Sequence, residues 1–302
     1  MREYMHMFVT GLTALLILLV SATVGAEEKL KPFILAAKQS GDAAAVVAET
    51  RDKLTGAGFV IAGEYSPFAG TTILVVTNND LKAAAARSEF GSFGAVQRVS
   101  VTAAGDEVQI AYTNPVYMSH VYRMADNLSQ VADALKAALG SQGHYGPDEG
   151  LTEKKLRDYH YKFLMPYFSD RLQLADHGSY EKAVKAVGAA LAAGKGGVSQ
   201  VYRVDIPGKE ETVFGVHMTK DCSGDEYIME RIDFKPLKSS GHLPYEMVVA
   251  GGKVYALPAE FRIAINFPDL SMIGSNSFAS IMCAPGAIEE ALTLAAGGKS
   301  GN

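Results

Sequence analysis

"FILAAKQSGDAAAVVAETRDKLTGAGFVIAGEYSP", residues 33–67, can be laid against "LQLADHGSYEKAVKAVGAALAAGKGGVSQVYRVDIP", residues 172–207. Each reads as a short strand, a polar cap, an alanine-rich amphipathic helix, a Gly-containing stop and a second strand closed by proline. The parallel continues downstream. "TTILVVTNNDL" (71–81) and "ETVFGVHMTKD" (211–221) are both β-branched strands that run into a polar turn. After a region of different length, "AVQRVSVTAAGDEVQIAYTNP" (95–115) and "YEMVVAGGKVYALPAEFRIAINFP" (245–268) each alternate apolar residues around a Gly turn, the pattern of a hairpin. "LSQVADALKAALG" and "AIEEALTLAAG" then read as apolar-faced helices stopping at glycine. The same order of elements twice predicts a tandem duplication.

Each unit therefore reads β-α-β-β-(short α)-β-β-α. Strands in hairpins with helices at two places predict an α+β fold: two similar units, each a curved antiparallel sheet with helices packed on one face. The expected divisions are a signal peptide at 1–26, a first unit at 27–140, a linker with an aromatic cluster at 141–170 and a second unit at 171–302. The linker begins Gly/Pro-rich and ends in Tyr159, Tyr161, Phe163, Tyr167 and Phe168. These aromatics either pack the linker onto the units or line a cleft between them.

The N-terminus "MREYMHMFVTGLTALLILLVSATVGAEE" has an early arginine, an apolar run and small residues before an acidic pair. Val24-Gly25-Ala26 fits signal-peptidase cleavage after Ala26. The apolar run is shorter than the ~20 residues that span a bilayer, so the chain reads as periplasmic or otherwise exported, with no membrane span after cleavage. Apolar residues are 48% and charged residues 20% of the 302, with net charge −5. That composition can build a real core and lacks the basic footprint of a nucleic-acid binder. Cys222 and Cys283 belong to no C-x-x-C motif, and an oxidising compartment permits a disulfide or two buried thiols.

"ILVVTNNDLKAAAARSEFGSFGAVQRVSVTAAGDEVQIAYTNPVYM", starting at Ile73, resembles the core of the bacterial domain-of-unknown-function family numbered 302, with its Asn-rich turn, alanine-rich helix and hairpin ending in x-Pro. The second unit is similar through "HLPYEMVVAGGKVYALPAEFRIAINFPDLSM", where Leu243-Pro244 matches a Leu-Pro pair of that family. The resemblance implies a TATA-binding-protein-like α+β fold and no particular activity. Members that resemble this chain carry a cysteine after the Leu-Pro pair. Here Tyr245 stands there, the first unit has Gly94 or Ala95, and the earlier turn reads Val76-Thr77-Asn78. The family's thiol chemistry therefore does not carry over.

Catalytic signatures are missing: there is no G-x-S-x-G, H-E-x-x-H or complete Walker loop. "AAGKGGVS" follows a helix and precedes a strand, which reverses the order a phosphate loop needs. It reads as a helix stop. Met118, His120 and Met124 form M-x-H-x-x-x-M, whose soft thioethers and imidazole suit copper or haem iron. Methionines also fill core gaps. Met272 of "NFPDLSM" reads as the second-unit counterpart of Met118, which makes Met118 a packing plug. "VHMTKDCSGDE" (216–226) offers His217 and Cys222 as further ligands, or simply a turn before a helix. The leading expectation is a non-catalytic binding or accessory protein for a small apolar molecule or a partner protein. His120, Met124, Met118, Tyr161 and Tyr167 are its candidate ligand-binding residues. The alternative is a metal- or haem-binding accessory protein using His120, Met124, His217 and Cys222. No cofactor can be named.

Overall fold

The computed structural model describes residues 27–299, so the expected signal peptide lies outside the described residues. In chain order the first unit runs β1 (Phe33–Gln39), α1 (Ala43–Gly56), β2 (Val60–Tyr65), β3 (Thr71–Thr77), α2 (Asn79–Ala86), β4 (Gln97–Ala104), β5 (Glu107–Thr113), α3 (Pro115–Val121) and α4 (Ser129–Leu139). A connecting segment holds β6 (Gly143–Tyr145) and α5 (Glu153–Arg157). The second unit runs β7 (Leu172–Asp176), α6 (Tyr180–Ala192), β8 (Val198–Asp205), β9 (Glu211–Met218), α7 (Asp225–Ile232), β10 (Tyr245–Ala250), β11 (Lys253–Ala256), α8 (Ala259–Ala264) and α9 (Ala284–Ala295).

Local chemistry accounts for these elements. Asp42 and Ser179 cap the corresponding helices α1 and α6 by accepting from the amides of Ala45 and Lys182. Both helices bury one stripe: Val46, Val47, Thr50 and Leu54 in α1, and Ala183, Val187, Ala190 and Leu191 in α6. Asn114 accepts from Val116 N–H and Tyr117 N–H, and Pro115 follows at the first helical position, so β5 turns directly into α3.

Both sheets are antiparallel, ordered β2-β3-β4-β5-β1-β6 and β7-β11-β10-β9-β8. Apart from the added β6, the two orders are the same. The irregularities coincide as well. In β2 the register skips Ala62 before Gly63 meets Val75, and in β8 it skips Val201 before Tyr202 meets Gly215. Ala36 in β1 and Leu174 in β7 are bulged at matching positions. The α+β reading of the sequence holds, with two similar sheets and helices packed on them.

These registers correct one sequence reading. The second hairpin does not extend to Pro268. It ends at Ala256, and residues 259–264 are α8. Pro258 cannot donate to the ladder and sits at the helix N-cap, so "FRIAI" coils instead of extending. Counting from the two N-caps, Asn114 and Pro258, the counterpart of Met118 is Arg262, not Met272. Met272 is a loop residue, 42% exposed.

Each sheet turns its other face to the opposite unit. The 3₁₀ turn at Ser240–His242 lies against β3, β4 and β5, and the turn at Gly91–Gly94 lies against β9 and β10. Edge strands β2 and β8 meet at Gly63, where a β-carbon would come within 2.8 Å of the Tyr202 Cβ. Only glycine allows that approach. In the connecting segment, Phe168 sits between Phe93 and Tyr122 of the first unit and Phe261 of the second. The stretch Phe278–Ala295 is long and apolar enough, by length and composition, to cross a membrane. Here it is the disulfide-tethered end of the second unit, with Ile288, Ala291, Leu292 and Ala295 buried in the core.

Candidate functional site

Two polar regions stand out in this core, and one of them is closed. Arg98 of β4 and Glu246 of β10 occupy equivalent positions in the two sheets, opposite Val75 and Gly215. They pair with each other across the unit interface. Arg262 adds a second guanidinium, its Nε 3.1 Å from Glu246 Oε2, and it donates to the carbonyls of His242 and Pro244. His242 Nε2 lies 3.1 Å from the Tyr245 hydroxyl. Burial, then Arg262 and Arg98, hold His242 well below its ordinary pKa, so it stays neutral. Arg98, Glu246, Arg262 and His242 are all under 5% exposed. The group is held together by its own ion pairs, although Arg98 Nε has no hydrogen-bond partner, and it acts as a structural clasp.

The open region lies one turn away. A cavity of about 130 Å³ is lined by Ile232, Asp233, Phe234, Lys235, Asn266, Phe267 and Leu270, among others. The ends of α7 and α8 and the loop after α8 enclose it, with Gly146 of the connecting segment. Its exposed surface is mostly apolar, as in small-molecule sites, although polar and charged residues make up much of the lining. Asp233 accepts 3.0 Å bonds from the Ser239 amide at both carboxylate oxygens. Even so, burial pushes its carboxyl up to about 7, opposed by the Ser239 N–H and by Lys238. Asn266, 1% exposed, donates from Nδ2 to Arg262 O, and its Oδ1 has no partner. Lys235 Nζ donates to Gly146 O and to Asp269, closing one side. Asp233 and Phe234 also wall a second cavity, of about 380 Å³, between the units, where Phe68, Thr71 and Thr102 face Glu226, Glu230 and Lys238.

Met118 and Met124 are buried core residues, and Met124 packs against Gly94, where a β-carbon would meet its sulfur. His120 is 5% exposed, faces Glu153 of α5 at 3.5 Å, and is held below its ordinary pKa by burial. His217 belongs to the other unit, its ring tilted against Tyr65 at 5.2 Å, with Nε2 3.9 Å from the buried Asp225. Burial pushes the Asp225 carboxyl well up, although the Met218 amide and Tyr65 hydroxyl bond to it. Through the Tyr65 hydroxyl, Asp225 joins the two units. Cys222 is no metal ligand: it is bonded to Cys283. Among the described residues no group of three or more His, Cys, Asp or Glu is placed to hold a metal ion.

Tyr167 packs at a tilt against His160 at 4.4 Å and does not line the cavity. Tyr161 comes nearer, donating to the carbonyl of Leu270 and tilting over Phe278 at 5.0 Å, so it braces the cavity wall from behind. Asp233, Asn266 and Phe267 carry the site, and the sequence reading passed over all three. Asn266 was read as the end of a strand. An amide set among "FRIAIN" was the available signal, since a polar residue in an apolar run must find partners.

No protein-family model, no characterised protein and no solved structure matches the chain.

Proposed function

We propose that the protein is an exported, non-catalytic binding protein that holds a small, largely apolar molecule in the cavity between the end of α7 and the loop after α8. The observation that carries this reading is the cavity itself, whose apolar surface from Ile232, Phe267 and Leu270 stands beside the Asp233 carboxyl. Burial raises that carboxyl, and perturbed carboxyls cluster at functional sites. The volume suits a ligand moiety of about six heavy atoms, since ~150 Å³ accommodates benzene. Export is supported by the N-terminal leader pattern and by the Cys222–Cys283 bridge. We also read the two units as a duplication, supported by their matching strand orders and bulges, and as kin of the family numbered 302.

The test is a ligand-observed NMR screen of single-ring aromatic and alicyclic fragments against the protein and against Asn276→Trp, which fills the cavity from its half-buried rim. Binding to the wild type that Asn276→Trp abolishes supports the reading. Equal binding to both proteins, or none to either, ends it.

A further inference from the structure

The cavity's own hydrogen bonds define the charge of its occupant, an inference that rests on the reading above and sharpens it. The side-chain N–H donors on the wall are largely committed to protein acceptors. Asn266 Nδ2 donates to Arg262 O at 3.1 Å, and Asn276 Nδ2 to Arg231 O at 2.8 Å. Lys235 gives one proton to Gly146 O and another to Asp269. The Ser271 hydroxyl donates to Ile273 O at 2.8 Å. Lys238, on the adjoining wall, donates from Nζ to Asp233 O and from its amide to Gln109 Oε1, both at 2.9 Å.

The acceptors are not used up. The two carboxylate oxygens of Asp233 share the single Ser239 amide and keep lone pairs free. Formal charge has the same sign: Asp233 and Asp269 stand against Lys235, and the adjoining interunit cavity adds Glu226 and Glu230 against Lys238. Phe267 and Phe234 supply ring surfaces on the same wall, and ring faces attract cations. A carboxylate or phosphate would find the Ser239 hydroxyl to donate to it, but Lys235 is already held by Asp269 and the Asp233 carboxylate repels it.

We infer that the cavity binds an organic ammonium: a protonated amine on a compact apolar group, its N–H bonds going to Asp233 and its apolar part resting on Ile232, Phe267 and Leu270. The same arrangement disfavours neutral alcohols, which bring one proton and no charge, and excludes anions.

Benzylammonium, benzyl alcohol and benzoate share a ring and differ in the polar group, so they isolate the claim. Their affinities are measured by calorimetry at pH 8 on the full chain, with amide chemical shifts locating the site. Benzylammonium should bind about tenfold or more tighter than either analogue, shifting residues 232–239 and 266–276. Asp233→Asn should bring it down to the level of the alcohol, while fold is checked by circular dichroism. Should that variant fail to fold, the wild-type ranking and shift map decide alone. Alcohol or benzoate binding at this site within about threefold of the ammonium overturns the charge assignment and leaves the binding reading standing. If none of the three binds, both fall.

Discussion

Replacing Glu246 with Gln should cost the protein about 4 kcal/mol of stability, close to what removing one member of a buried ion pair costs. The magnitude follows from the clasp. Glu246 is the carboxylate shared by two buried guanidiniums, Arg98 and Arg262, and its Oε2 lies 3.1 Å from Arg262 Nε. At an effective dielectric of ~20, one unit pair at that distance attracts by about 5 kcal/mol. Gln keeps the shape and loses the charge, leaving Arg98 and Arg262 buried together. Their mutual repulsion already lowers the Arg98 pKa, after burial, in the native protein. Arg98→Met makes the opposite change: it leaves Glu246 matched to Arg262 alone and should cost clearly less. The chain has no tryptophan, so urea unfolding is followed by far-UV circular dichroism. Because Arg98 and Glu246 belong to different sheets, Glu246→Gln should also broaden the transition as the units lose coupling. A loss under about 1 kcal/mol, or a larger loss in Arg98→Met than in Glu246→Gln, would refute the clasp.

Reducing the Cys222–Cys283 bridge, which spans 61 residues, should lower stability by about 4 kcal/mol on the loop-entropy relation, read as a drop in urea midpoint with dithiothreitol; an unchanged midpoint contradicts this. Asp233→Asn should stabilise the protein at pH 8. The carboxyl is raised to about 7 in the fold against ~3.9 when unfolded, so ionisation disfavours the fold above pH 7 and the gain fades as pH falls toward 4. The full shift converts to ~4 kcal/mol, and solvent screening of a half-buried group reduces that to about 1–2 kcal/mol; denaturation at pH 8 and pH 4.5 checks the trend, and a destabilised variant at pH 8 sinks it. His120, His144, His217 and His242 are all held below the ordinary imidazole pKa, chiefly by burial. Below ~6.5 the unfolded chain therefore takes up more protons and stability falls. Measured in an Asp225→Asn/Asp233→Asn background, which removes both raised carboxyls that oppose it, the urea midpoint should drop from pH 7.5 to pH 5.5; a rise would contradict the assignment.

The architecture was legible because it is local and repeated. Capping residues such as Asp42 and Ser179, the alternation in the strands and the glycine stops recur in both halves, so each half supports the reading of the other. The error at residues 257–268 arose where the halves diverge. The apolar string "FRIAI" suits a buried strand or a buried helix, and only the position of Pro258 in the ladder decides. Met118, His120 and Met124 looked like ligands because spacing on one helix says nothing about which neighbours fill the space around them. Gly94 leaves room for Met124, and α5 brings Glu153 to His120. The cavity joins Gly146, the end of α7 and the loop after α8, segments distant in sequence. Its chemistry depends on which hydrogen bonds are already spent, and that bookkeeping exists only in three dimensions.

A crystal structure of the protein grown with benzylammonium tests the binding site most directly. The ring should lie among Ile232, Phe267 and Leu270, with its nitrogen within hydrogen-bonding distance of an Asp233 carboxylate oxygen. Density for the ligand elsewhere, or a cavity that stays free of it at saturating concentration, would contradict the assignment.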